Sequence, residues 1–311
     1  MVTAKKKKKS LSQDTTYDKI YLGIVYFIVA FVVLITLYPL IYIVSASLST
    51  PHYVNSGEMW LWPVGFTTEG YRILMGNTAI WRGYANTIYY TLLGTSINLL
   101  VTIPAAYALS RKDFFGRNLF MTFLIIPMFI GGGLIPTFLL IRSLGMFNTV
   151  WALVLPGATG VFNIVVTRTF FQQTIPREME EAATMDGCND FVMFIKIVLP
   201  LSLPIIAVMA LFFGVGHWNS WFGAMIYLQD RARHPLQLVL REILVQENMQ
   251  SMPDVGVGMD ASQAELMRIR QQMAQVIRYG VMIVSTLPII MVYPFLQKYF
   301  VKGVMVGSLK G

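Results

Sequence analysis

Six long stretches of the chain contain no Asp, Glu, Lys or Arg, and this feature limits the possible folds more than any other. The stretches are 20–46, 85–109, 118–141, 150–167, 201–228 and 279–297. Each is close to the ~20 residues that a helix needs to cross the hydrocarbon core of a bilayer. Backbone groups in lipid must satisfy their hydrogen bonds internally, which helices do. The sequence therefore predicts an all-α integral membrane protein with six transmembrane helices.

Composition supports this prediction and argues against other classes. The chain is 55% apolar and only 13% charged, which is too apolar for an ordinary soluble domain. Its net charge of +8 comes from cations spread along the chain outside the apolar stretches, so nucleic-acid binding is not expected. Cys188 is the lone cysteine, and the three histidines, His52, His217 and His234, are too far apart for a short metal motif. No metal or redox site is predicted.

The first apolar stretch follows the basic run Lys5 to Lys9, as in a secretory signal. Signal peptides have apolar regions of about 7 to 15 residues, and this stretch is much longer. It is therefore predicted to remain as the first span. In the third stretch, Gly131, Gly132 and Gly133 lie between two prolines, and the helix is expected to end or unwind there, near its outer end.

The distribution of Lys and Arg predicts the orientation. With the N-terminus inside, 15 of the 24 basic residues fall in inner segments. Both termini are therefore predicted to be cytoplasmic, as basic tails at 1–19 and 301–311 that flank one transmembrane domain at 20–300. The loop at 174–200 is then cytoplasmic and the loop at 229–278 extracytoplasmic. Within the outer loop, 251–258 is typical of a turn and 261–278 of a polar helix.

The loop between the fourth and fifth stretches contains the most specific motif in the chain. Glu181-Ala182-Ala183 is followed after three residues by Gly187, and nine residues later by Ile197-Val198-Leu199-Pro200. Pro176 is suited to the start of a helix, and acidic residues near that start complement the helix dipole. A short helix that merely connects two spans at the membrane surface would also explain this segment.

The motif resembles the EAA loop of ABC importer permeases, without a gap or substitution. The resemblance implies a type I ABC importer permease fold, in which this loop docks in a groove of a cytoplasmic ATPase. The glutamate and alanines would lie at the contact and the glycine at a bend. The residues expected to couple to the ATPase are Glu181, Ala182, Ala183, Asp186, Gly187, Ile197, Leu199 and Pro200.

Other, less specific sequence patterns resemble the carbohydrate branch of ABC permeases related to the maltose importer, particularly oligosaccharide and polysaccharide permeases of Gram-positive bacteria. They are Asn86-Thr87 and the segments 105–111, 132–137 and 293–303. The resemblance implies a carbohydrate substrate and a place in the bacterial plasma membrane. It also implies three kinds of partner: a second homologous permease, an extracytoplasmic sugar-binding protein, and two ATPase subunits that hold ATP and Mg. No cofactor is expected in this chain.

The sequence favours an ABC permease over two other functional classes. An ion-coupled secondary carrier or channel usually has an ionisable residue at membrane depth, and the six stretches contain no carboxylate. An enzyme acting on lipid-linked substrates would need a nucleophile, acid pair or metal cluster, which residues 110–113 alone do not supply. The chain also has no Walker A motif, so it is predicted to be a transport subunit without an ATPase site.

Candidate solute contacts lie mainly in the fifth stretch. Sugars stack their apolar faces on aromatic rings and bond to amides, so Trp218, Asn219, Trp221 and Asn163 are the predicted solute path. Trp218 and Trp221 are three residues apart and would share a helix face. Packing between helices is the alternative for these residues, as it is for Asn98. His217 is expected to be a hydrogen-bonded packing residue rather than a proton relay.

Overall fold

The computed structural model describes residues 15–250 and 277–294, with the side chains of 247–250 excepted. Residues 1–14 of the predicted N-terminal tail lie outside the described residues, as do the C-terminal tail, the turn at 251–258, most of the polar helix at 261–278 and the segment 295–303. The last residues of the predicted N-terminal tail, 16–19, belong to α1. The part described is all-helical, with no β-strand. In chain order its helices are α1 (Thr16–Ser47), α2 (Pro51–Asn55), α3 (Glu69–Gly76), α4 (Thr78–Ser110), α5 (Arg117–Phe129), α6 (Leu134–Ser143), α7 (Trp151–Val154), α8 (Val161–Thr174), α9 (Arg177–Met185), α10 (Asp190–Leu201), α11 (Leu203–Trp218), α12 (Phe222–Tyr227), α13 (Leu236–Gln250) and α14 (Ile277–Pro294).

Helix α1 covers the first apolar stretch as one continuous helix, as predicted. A capping box fixes its start, because Thr15 Oγ1 accepts from the backbone N–H of Asp18 and the Asp18 carboxylate accepts from the N–H of Thr15. Its side chains are exposed along nearly the whole length, and only Ser45, Ala46 and Ser47 are buried. An apolar helix exposed on all sides is suited to contact with lipid.

The described residues divide into two compact units, 15–71 with 277–283 and 72–250 with 284–294. In the larger unit α4 is the central helix, and α8, α11 and α13 pack against it. One end of α4 contributes Ile103, Ala106, Tyr107 and Leu109 to the main hydrophobic core. Side chains from α5, α8, α9 and α10 complete this core together with Ile175, so it joins α4 to the loop that carries the motif.

Three helices, α1, α4 and α14, are long and apolar enough to cross a membrane. Two bent pairs also qualify by composition, so the part of the chain described here has up to five candidate spans. The α5–α6 pair bends by 116° at the glycine triplet, where Gly133 has a φ of 81°, and this confirms the predicted break. The α10–α11 pair bends by 77°.

The fourth and fifth apolar stretches differ from the prediction of one helix each. In the fourth, α7 and α8 are separated by residues 155–160, where Pro156, Gly157 and Gly160 disfavour a continuous helix. A buried side chain of α4 satisfies two backbone carbonyls of this break, as detailed below. In the fifth, α11 ends at Trp218 and α12 begins at Phe222. Hydropathy detects such stretches but does not locate breaks whose polar backbone is satisfied within the protein.

Candidate coupling site

The predicted helix of the motif is present as α9, and it ends at the predicted glycine. Gly187 has a φ of 76°, which is a left-handed conformation that glycine adopts without strain. The N–H of Cys188 donates to the carbonyl of Ala183 at 2.9 Å, and that of Gly187 donates to Thr184 at 3.0 Å. This pair of bonds is a Schellman motif. Asn189 then caps α10 by accepting from the N–H of Val192 at 2.8 Å.

The two faces of α9 differ sharply in exposure. Ala183 is 7% exposed and packs into the main core, so its side chain is not available to a partner, contrary to the expectation that both alanines lie at a contact. The outward face consists of Glu178, Glu181, Ala182 and Met185, which follow helical spacing, and Met185 is 88% exposed. We call these four residues the outer face of α9.

The second half of the motif lies at the bend between α10 and α11. Residues Phe194–Val198 form a π-helical turn, in which the N–H of Leu199 bonds to the carbonyl of Phe194. Pro200 follows and has no N–H to continue the helical ladder. Ile197 and Leu199 are half-buried against the main core, while Pro200 is exposed. Ile197 and Leu199 therefore pack inward at the bend, whereas Pro200 is exposed there, as are Glu181, Ala182, Asp186 and Gly187.

A cleft of about 1040 Å³ lies between α9 and the residues that follow α4. Arg111 lines it, and its hydrogen bond to Asp113 raises the pKa of the guanidinium and lowers the pKa of the Asp113 carboxyl. Glu180 also lines the cleft. Burial raises the pKa of this carboxyl, and the nearby Arg111 charge partly opposes that effect.

A polar network connects three segments of the larger unit. Asn98, 1% exposed on α4, donates from Nδ2 to the carbonyls of Gly157 at 2.6 Å and Ala158 at 3.0 Å. Its Oδ1 lies 2.7 Å from His217 Nε2 on α11. Asn98 therefore bonds across helices, and His217 is a packing histidine, as predicted.

The predicted solute-path residues occupy different environments. Trp218 is buried, and its Nε1 donates to the carbonyl of Ser285 at 3.0 Å. Trp221 is half-buried, with the Arg241 guanidinium 3.6 Å from its ring centroid. Because α11 ends at Trp218, the two indoles do not share a helix face, and that prediction is wrong. Asn219 is exposed just after α11, and Asn163 is half-buried in α8.

The Asn86-Thr87 pair binds the segment that precedes α13. Asn86 Nδ2 donates to the carbonyls of Ala232 and His234, at 2.8 and 3.0 Å. Thr87 Oγ1 accepts from the N–H of Leu236 at 2.7 Å. In the sequence this pair indicates only a family resemblance. Its structural role, like the Arg111–Asp190 and Arg241–Trp221 contacts, depends on residues far away in the chain and had no local signal.

Comparison with known proteins identifies relatives over most of the chain. Residues 98–306 match the family described as binding-protein-dependent transport system inner membrane component. The polygalacturonan/rhamnogalacturonan transport system permease protein YtcP of Bacillus subtilis is 39% identical over 89% of this chain and 94% of that protein. The arabinooligosaccharides transport system permease protein AraQ of Halalkalibacterium halodurans is 27% identical, over 91% of this chain and 94% of the AraQ chain.

Among the solved structures that are similar to this chain is the crystal structure of a bacterial ABC transporter involved in the import of the acidic polysaccharide alginate. A chain of that structure superposes with a TM-score of 0.76 at 33% identity, and the match covers 92% of this chain and 99% of the other.

Proposed function

This chain belongs to the family of binding-protein-dependent transport system inner membrane components, and on that premise we propose that it is the permease subunit of an ABC importer for a saccharide. The observation that carries the proposal is α9: a short helix with an exposed outer face, ended by Gly187 and packed through Ala183 against the core around α4. Such a helix can be displaced by a bound partner and can transmit that displacement to the transmembrane helices.

The complete importer in this proposal contains more than this chain. This chain has six spans with both termini cytoplasmic and pairs with a second homologous permease, because two sets of spans together enclose a path as wide as a sugar. Two ATPase subunits supply ATP and Mg, and an extracytoplasmic binding protein delivers the solute. ATP binding closes the ATPase pair, α9 moves with it, and the spans rock between inward-open and outward-open states.

The outer face of α9 is the proposed docking surface for the ATPase. It offers apolar contact through Met185 and Ala182, with Glu178 and Glu181 beside them. Ala183 supports this face from behind. A substitution at Ala182 should therefore affect the partner, and one at Ala183 should affect the fold.

An oligosaccharide that carries carboxylates is the proposed substrate. Two of the relatives described above are named for polygalacturonan and alginate, which are acidic polymers. Trp221 offers an apolar ring with the Arg241 guanidinium on it, and Asn219 is exposed nearby in the chain. Trp221 and Asn219 are the proposed solute contacts, with Asn163 as a further polar group, and Trp218 supports them from a buried position.

Uptake by the importer reconstituted in liposomes tests the proposal. With ATP inside the vesicles, labelled oligogalacturonate should enter, and vanadate should stop it because it blocks the ATPase. Uptake that persists with vanadate but collapses when the ion gradients are dissipated would support an ion-coupled carrier instead. Neutral arabinooligosaccharide is the matched solute; ATP-driven uptake of that sugar alone would keep the ABC assignment and reject the acidic substrate.

A further inference from the structure

Arg111 binds three other side chains where α4 ends. Its Nε and Nη2 donate to the two carboxylate oxygens of Asp113, at 3.0 and 2.6 Å. Its Nη1 donates to Oδ1 of Asp190 at 2.9 Å and to the hydroxyl of Tyr107 at 3.2 Å. Only a planar guanidinium can hold partners in these several directions, because its donors form a rigid fork.

These partners belong to different parts of the coupling site. Asp190 begins α10, three residues after the Gly187 turn. Glu180, on α9 before that turn, lines the same cleft as Arg111. Tyr107 belongs to α4 and packs on Phe171 of α8 and Phe194 of the π-helical turn, with ring centroids 5.7 and 5.3 Å away. Arg111 therefore joins the end of α4 to the start of α10, within the loop that carries the motif.

Stability of the fold does not account for this arrangement. The Asp190 side chain is 85% exposed, and ion pairs with an exposed partner contribute little to stability. The Arg111 side chain is only 18% exposed, so it has few alternative positions and fixes where α10 begins relative to α4. This is a geometric constraint at the place where motion of α9 would have to enter the spans.

We propose that Arg111 is a positioning residue for energy coupling: through Asp190 it makes the start of α10 move together with α4 when the ATPase displaces α9. This inference rests on the proposed function. Since α8 and α11 pack against α4, a displacement of α4 reaches the helices that carry the solute-path candidates. Without the Arg111–Asp190 contact, α9 would still dock, but part of its movement would be lost at the Gly187 turn.

Asp190→Asn is the first test, because Asp190 is exposed and its side chain packs against little. In the reconstituted importer we expect solute uptake to fall about three- to fivefold, as for the loss of one ion pair with an exposed partner. ATP hydrolysis and recovery of the ATPase with the permease should remain within about twofold of the parent, so the ratio of solute moved to ATP hydrolysed falls. Lys112→Gln removes a neighbouring charge from the same cleft and should leave that ratio unchanged.

A double-mutant cycle separates positioning from a general effect of charge. Arg111→Gln and the double variant with Asp190→Asn should both show the lowered ratio, and the double should be no worse than the poorer single variant. Arg111→Lys keeps the positive charge but lacks the planar set of guanidinium donors, so it should not restore coupling. Three results would each overturn the inference. The losses of uptake in the two single variants could be additive in the double variant, Asp190→Asn could keep the parent's ratio of solute moved to ATP hydrolysed, or ATP hydrolysis could fall in step with uptake. If the parent itself shows no ATP-driven uptake, the proposed function fails instead.

Discussion

The Nε2 atom of His217 lies 2.7 Å from the side-chain oxygen of Asn98. Because Asn98 uses its amide nitrogen to donate to Gly157 and Ala158, its oxygen is the acceptor and His217 donates. One asparagine thus holds α4, α11 and the break between α7 and α8 together. The same bonds explain how an irregular segment is tolerated among apolar helices.

Replacing Asn98 with leucine should destabilise the protein. The change removes three hydrogen bonds and leaves buried polar groups with fewer partners, at a cost of about 2 kcal/mol or more. Thermal unfolding in detergent measures this. Ser96→Ala is the control on the same helix, since Ser96 is exposed and its Oγ bonds to the Leu92 carbonyl one turn back. Equal melting temperatures for both variants would show that the network has no stabilising role.

Gly94 is required where α4 approaches the His217 ring. A Cβ atom added at Gly94 would overlap the imidazole of His217, and a shift of the ring would disturb its bond to Asn98. Gly94→Ala should therefore cost about 1 to 3 kcal/mol in the same unfolding assay. Gly216→Ala is the matched variant on α11, because a Cβ there meets nothing within 4 Å. A Gly94→Ala protein as stable as Gly216→Ala would contradict the close packing described here.

Glu180→Gln should stabilise the protein in a pH-dependent way. Burial raises the pKa of Glu180 above its ordinary 4.5, so the folded state holds the proton more strongly than the unfolded state. Stability from this group is complete below about pH 4.5 and is lost as the pH rises through the folded-state pKa. The variant should melt with the parent at acid pH and above it at pH 7.5. Glu178→Gln, on the outer face of α9, is the control for the loss of a negative charge. A parent protein that melts at a higher temperature than Glu180→Gln at neutral pH would contradict this prediction.

The two tryptophans of the proposed solute path should behave differently. Trp221→Ala should raise the solute concentration needed for half-maximal uptake while the protein still assembles. Trp221 is only half-buried and directly follows the exposed residues Asn219 and Ser220. Trp218→Ala should instead lower the amount of folded protein, since Trp218 is 8% exposed and packs on Tyr84. Uptake at saturating and limiting solute, with the protein quantified in the membrane, distinguishes the outcomes. Unchanged affinity in Trp221→Ala would remove it from the path.

Local patterns predicted much of this fold, and long-range contacts account for what they missed. The spans at α1 and α4, the break at Gly133 and the turn at Gly187 each follow from residues adjacent in the chain. The break at 155–160 depends on Asn98, some 60 residues away, so hydropathy alone indicated a single helix. The motif likewise could not distinguish Ala182 from Ala183, because which alanine is buried depends on the position of the core around Tyr107 and Phe171.

Accessibility of Met185 tests the central claim, that α9 is the cytoplasmic contact for an ATPase. Cys188→Ser removes the only cysteine, and Met185→Cys then places a single thiol on the outer face of α9. Met193→Cys, at a position 2% exposed, is the unreactive control. We expect a membrane-impermeant thiol reagent to label Met185→Cys only in inside-out vesicles, and less when the ATPase subunits are bound. Labelling of Met185→Cys from outside intact cells, or labelling that the bound ATPase does not reduce, would contradict the account.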